Sequence, residues 1–196
     1  MTRTNARELA AHLLFAIEYT GQPVEEAMEL RMEPEYYKGL ALESEAYLER
    51  PSKKQRAYIQ SLVKGVVENR EDLNRTIGHY AIGWNIKRIS KLAKVFMQIA
   101  LYECLFMDDV PNGAAINEAV NLTKTYDEDS AKFVNGILGA FVRGGAKLVE
   151  APAEPVVEEP AAEEITAEEP AAEEITAEEP AAEAEAEEAA PAEVEE

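Results

Sequence analysis

Residues 89–105 read Ile-Ser-Lys-Leu-Ala-Lys-Val-Phe-Met-Gln-Ile-Ala-Leu-Tyr-Glu-Cys-Leu. Ile89, Leu92, Ala93, Phe96, Ile99 and Ala100 recur at steps of three and four and so line one face of a helix. Leu105 extends the stretch beyond the length of a strand, and it is the longest helical pattern in the chain. The same period continues on both sides. Downstream, Asp108-Asp109-Val110-Pro111 ends this helix, and Pro111 opens the next one. Ile116, Ala119, Val120, Thr123 and Tyr126 form the next face. Phe133, Val134, Ile137, Leu138 and Phe141 form the last, capped by Asp129 or Ser130 and stopped by Gly144-Gly145.

Upstream, Asn5 with Glu8 reads as a capping box that opens a helix presenting Ala6, Leu9, Ala10, Leu13, Leu14 and Ile17. Gly21-Gln22-Pro23 closes it. Ser52 with Gln55 is a second capping box, before Tyr58, Ile59, Leu62, Val63, Val66 and Val67. A further helix carries Leu73, Ile77 and Tyr80 up to a break at Gly83-Trp84-Asn85. Residues 24–48 are helical in character but less regular, interrupted by Pro34 and Gly39. No two-residue alternation appears. The pattern predicts an all-α bundle of about seven helices joined by short loops.

The charge is divided unevenly. All 19 Lys and Arg and 20 of the 39 acids lie in residues 1–149, which therefore carry about −1; the other 19 acids fall in residues 150–196, which carry −19. The near-neutral body is long enough for one domain with a proper core, and its local basic patches, not the overall charge, decide whether nucleic acid can bind. The single cysteine, Cys104, excludes an intramolecular disulfide, reads as a buried thiol, and builds no zinc site with only His12 and His79 for company. Arg3 and Arg7 precede no apolar run of signal-peptide length, and no stretch approaches a membrane span. These features predict a cytoplasmic protein that is not membrane-bound.

Residues 158–167, Glu-Glu-Pro-Ala-Ala-Glu-Glu-Ile-Thr-Ala, recur residue for residue at 168–177, and a degraded third copy begins at Glu178. Prolines 160, 170 and 180 interrupt helices. Glu159/Glu163 and Glu169/Glu173 repel along a helix face, and one isoleucine per repeat buries too little to offset ordering entropy. The expected organisation is a helical domain over 1–149 and a disordered acidic tail over 150–196.

Four ordered segments carry a family resemblance: Asn5-Ala6-Arg7-Glu8-Leu9-Ala10; Trp84…Ile86-Lys87-Arg88-Ile89 leading into Ile99-Ala100-Leu101-Tyr102-Glu103; Asp109-Val110-Pro111 with Ile116-Asn117-Glu118-Ala119; and Lys132-Phe133-Val134-Asn135-Gly136-Ile137-Leu138. In this order and spacing, over roughly residues 3–142, they resemble the NusB family of transcription antitermination factors. The resemblance implies a helical fold in two subdomains and no enzymatic activity or cofactor. It also implies binding of boxA-type single-stranded RNA together with NusE, a small-subunit ribosomal protein. The complex would join the elongating RNA polymerase with other Nus factors, notably on ribosomal RNA operons.

The resemblance implies RNA contact at Arg7, Lys132 and Phe133, with Asp129 beside that surface. Arg3 and Arg88 join them as basic candidates. By spacing alone Phe133 is a core residue and Arg7 a solvated one. Lys87, Arg88, Lys91 and Lys94 form a basic stripe, which is usually a solvated face. Asn117 and Glu118 read as ties between helices, Asn135-Gly136 as a site of close helix packing, and Tyr102 and Trp84 as core. The chain departs from the family in its thin N-terminal basic cluster, in His12 and Phe15 where glutamine and tyrosine are common, and in the tail. No phosphate loop, Gly-x-Gly-x-x-Gly or Glu-x-x-His motif supports an enzyme. Two alternatives stand: a helical interaction module without RNA affinity, and a relative of the RNA-binding domain of ribosomal RNA methyltransferases.

Overall fold

Thr2, not Asn5, starts the first helix. The computed structural model describes residues 1–83 and 89–150. In it Thr2 Oγ1 accepts the Asn5 backbone N–H at 3.1 Å, so α1 spans Arg3–Thr20. Threonine is a favoured N-cap residue, though weaker than asparagine, and the earlier start places Asn5 inside the first turn. The predicted stop holds: Gly21 adopts φ +66° and donates its N–H to the Ile17 carbonyl.

Residues 24–48 break into three pieces. α2 is Val24–Met32 and α3 is Pro34–Leu40, followed by a 3-10 turn at Glu45–Tyr47. Pro34 begins a helix instead of interrupting one, because its fixed φ suits the first turn and the Glu33 carboxylate accepts the Tyr36 N–H at 2.6 Å. The division at Glu33-Pro34 brings the α-helices to eight among the described residues, against the seven expected.

α4, Lys53–Glu68, opens with the predicted Ser52–Gln55 capping box, both halves formed. α5 is Arg70–Tyr80. α6, Lys91–Phe106, begins after Ser90, whose hydroxyl accepts the Ala93 N–H, so Ile89 lies just outside. α7 is Asn112–Tyr126, directly after Pro111. A 3-10 turn at Glu128–Ser130 runs into α8, Ala131–Arg143. Neither Asp129 nor Ser130 caps α8 through its side chain. Of the two terminal glycines, only Gly145, at φ +93°, uses the left-handed region.

α6 is the axis of the fold. Residues 95–101 are all buried, which fits a helix enclosed on every side. It packs against α1, α4, α5, α7 and α8; α1 also packs on α4, and α8 on both α5 and α7, so two helical groups share α6. Its one buried amide, Gln98, donates to Asn74 Oδ1 at 2.8 Å. Close approach occurs at Gly65, where a Cβ would lie 2.0 Å from Tyr102 Cζ. Gly136, expected to serve that purpose, is exposed, and a Cβ there would meet nothing within 4 Å.

The chain divides into Met1–Glu154 and Pro155–Glu196. The expected acidic tail, from residue 151 on, lies outside the described residues, as do Trp84, Lys87 and Arg88. No helix among the described residues is long and apolar enough to cross a membrane.

Candidate nucleic-acid interface

The turn between α7 and α8 is held by Asp127. Its carboxylate accepts the Ser90 hydroxyl, and the Ser130 N–H bonds to its carbonyl at 3.0 Å. The Ser90 bond, aided by Ser130 and opposed by partial burial, holds the Asp127 carboxyl below the usual carboxylate range. Ser90 therefore both caps α6 and fastens the α7–α8 turn.

That turn brings Asp129, Lys132 and Phe133 to one groove of about 430 Å³, whose opposite wall is Tyr80, Ala81 and Ile82 at the end of α5. Lys132 is exposed and Phe133 half-buried, with the Phe133 ring packed against the core cluster. The two readings of Phe133, core and surface, are thus both partly met. Ile82 is 87% exposed, so the groove offers apolar surface on one wall and charge on the other. The 3-10 turn already occupies the first α8 amide, since Ala131 N–H bonds to the Glu128 carbonyl.

The α1 candidates sit differently. Arg3 is exposed; its guanidinium lies 4.5 Å from the centre of the Tyr58 ring and 3.1 Å from Asp109. Arg7 is only 5% exposed. Its Nε donates to both Glu103 oxygens, at 3.0 and 2.9 Å, and its Nη1 lies 3.6 Å from Glu118. The reason is helical phase: Arg7 shares its face of α1 with Ala10, Ala11 and Leu14, which point into the core. A residue read from sequence as solvated or RNA-bound is here the cation of an internal network. Glu118 is a tie between helices as expected, whereas Asn117 is exposed.

Of the basic stripe, Lys91 lies 4.0 Å from the centre of the Tyr19 ring and Lys94 is half-buried; Arg88 and Lys87 fall outside the described residues. Sequence reasoning missed Tyr80 and Ile82 as groove residues. Their signal was position alone, at the end of a helix whose neighbour in space was not legible.

The family model described as the NusB family matches residues 4–143.

The chain belongs to the NusB family.

The matched span runs from the first turn of α1 to the last residue of α8. The chain is 38% identical over 140 residues to the transcription antitermination protein NusB of Carboxydothermus hydrogenoformans, covering 71% of this chain and 91% of that protein. It is 35% identical over 149 residues to the NusB of Symbiobacterium thermophilum, covering 74% and 91%. Among solved structures, T. maritima NusB superposes with a TM-score of 0.60 at 27% identity, over 73% of this chain and 92% of that one. A crystal structure of the antitermination factors NusB and NusE in complex with dsRNA gives 0.57 at 22% identity over 72% and 96%, a likeness of fold. The chain is thus a NusB-family transcription antitermination protein, an all-helical factor and not an enzyme.

Proposed function

We infer that this NusB-family protein binds boxA-type single-stranded RNA together with the ribosomal protein NusE. In this reading it acts in the cytoplasm on the elongating RNA polymerase with other Nus factors, notably at ribosomal RNA operons. The observation that carries the reading is the groove at the start of α8, which joins an exposed ammonium, Lys132, to a half-buried ring, Phe133. Single-stranded RNA is held by that pair of chemistries: bases stack on aromatic rings and phosphates meet Lys or Arg. Asp129 on the groove rim supplies an acceptor for a base amino group. Arg3, and Arg88 by its place in the sequence, add cations. Arg7 supports the surface from within by fixing α1 to α6. A structure holding a NusB with NusE and RNA gives the partner assignment its precedent.

The internal pairing of Arg7 favours one competitor, an interaction module that keeps NusE and lacks RNA affinity, because it removes a cation from the surface. Fluorescence anisotropy of labelled boxA RNA with the full chain, with and without NusE, separates the two. Selective binding that tightens with NusE and weakens about 5- to 100-fold in Phe133→Ala is expected, from the worth of one base–aromatic stack. Lys132→Ala is expected to lower the salt slope by about 1. NusE binding without selective RNA binding would establish the interaction module.

A further inference from the structure

α7 and α8 enclose a second groove of about 410 Å³. Its floor is apolar, with Ile116 and Val120 from α7. Its rim is polar: Asn117 and Lys124 from α7, Lys132 and Asn135 from α8. No acidic residue lines it. Asn117 and Lys124 stand two turns apart on one face of α7, about 10 Å along the axis, and Lys132 and Asn135 are neighbours one turn apart on α8.

All four rim side chains are exposed. Among the described residues neither lysine forms an ion pair and neither amide a hydrogen bond with the protein. The arginines at 3, 7, 70 and 75 are by contrast each within 3.1 Å of a carboxylate. The rim therefore presents unspent donors and acceptors over an apolar floor. Lys132 also lines the Phe133 groove, so the two depressions meet at this residue.

We propose that the second groove holds the next nucleotide of the same RNA strand, with Asn117 and Asn135 reading its base edge and Lys124 and Lys132 holding the flanking phosphates. This rests on the RNA-binding reading above. A carboxamide carries a donor and an acceptor side by side, the pattern that pairs with a base edge offering the complement. Ile116 and Val120 accept the base face. The lysines fit a polyanion crossing the ridge at Lys132. An apolar partner helix seated in the groove would cover Ile116 and Val120 but give neither rim ammonium group a counter-charge, whereas a phosphate backbone supplies one to each.

The test uses the full chain, its Asn117→Ala/Asn135→Ala and Lys124→Ala variants, and boxA-type oligonucleotides made abasic one position at a time. Anisotropy is read at several salt concentrations, and thermal melts establish that these surface variants fold. The double amide variant is expected to lose about 5- to 100-fold in affinity for the intact oligonucleotide. One abasic position should abolish that difference. Lys124→Ala is expected to reduce the salt slope by about 1 with base preference unchanged. If these variants bind every oligonucleotide like the wild type while Phe133→Ala still weakens binding, the inference falls and the RNA-binding reading stands. If they lose NusE and keep RNA, the groove is a protein surface and the inference is overturned. If the wild type shows no selectivity and Phe133→Ala changes nothing, both readings fall.

Discussion

Arg7 and Glu103 form a buried ion pair across the α1–α6 contact, with one N–H shared by both carboxylate oxygens at 3.0 and 2.9 Å. Tyr58 completes it, donating its hydroxyl to Glu103 Oε1 at 2.6 Å. Burial first, and the neighbouring Glu103 charge second, hold Tyr58 above the usual tyrosine range, so it remains a donor. Both charges of the pair are out of water, and neither can lose its partner cheaply.

Removal of one partner strands the other. Glu103→Ala or Arg7→Ala is expected to destabilise the fold by about 3–5 kcal/mol, whereas replacing both by leucine costs much less. Urea denaturation of the two single variants and the double variant measures this. Equal losses in all three would show that packing, not charge, sets the cost.

Gly65 is a packing position. Its α4 backbone meets the Tyr102 ring so closely that a methyl group would overlap Cζ and Oη. Gly65→Ala is expected to cost about 1–3 kcal/mol as an overpacked site, despite alanine's better helix propensity. In a double-mutant cycle with Tyr102→Ala the losses should be strongly non-additive. Additive losses would mean that Tyr102 simply swings away.

His12 sits between two tyrosines. Tyr126 donates its hydroxyl to Glu8 at 2.5 Å, so His12 Nε2, 3.1 Å from Tyr126 Oη, must be the donor there. Tyr47 accepts from Arg31 at 2.8 Å and turns its own proton to His12 Nδ1 at 2.9 Å. Burial pushes Tyr47 up to about 12, with Arg31 opposing, so that proton stays in place. The neutral imidazole satisfies every group. Burial, and then the Arg31 charge, lower the His12 pKa against the opposing pull of Glu8 and Glu43.

The sign of the pH effect follows. As pH falls below the ordinary histidine value of about 6.5, the unfolded chain takes up a proton that native His12 refuses, and stability drops. The slope is at most about 1.4 kcal/mol per pH unit. His12→Gln keeps a donor and an acceptor without titrating, so urea melts between pH 7.5 and 5.5 should show a flatter dependence in that variant. An identical dependence in both proteins would rule His12 out as its source.

Cys104 is half-buried on α6. Burial, reinforced by the Glu103 charge, pushes its thiol up to about 11. Because the thiolate is the nucleophile, alkylation by iodoacetamide at neutral pH is expected to be slow in the native protein and at least tenfold faster in denaturant. Rapid native labelling would show that α6 opens locally at that end.

The helical faces were legible because burial follows the 3.6-residue period: Leu9, Leu13, Ile59, Leu62, Phe96 and Ile99 are all buried where the pattern put them. Gly21 and the Ser52–Gln55 box were legible because local chemistry alone determines them. Arg7 and Glu103 were not. A charged residue on a core-facing stripe is explained only by its partner 96 positions away. Pro34 was misread because proline's local rule permits either a break or a start, and Glu33 decides between them. At the candidate site the sequence singled out Asp129, Lys132 and Phe133, which the fold brings to one groove. It was silent on Tyr80 and Ile82, whose place there depends on how α5 packs beside α8.

The shared α6 has a mechanical meaning. With α1 and α4 packed on the same rod as α5, α7 and α8, the two helical groups are joined through one continuous helix. A swing of one group against the other would have to bend or unpack α6, which is continuous from Lys91 to Phe106. Its amides along α6 should exchange with solvent only when the whole body opens. A partner gripping the α8 end therefore meets a platform already set.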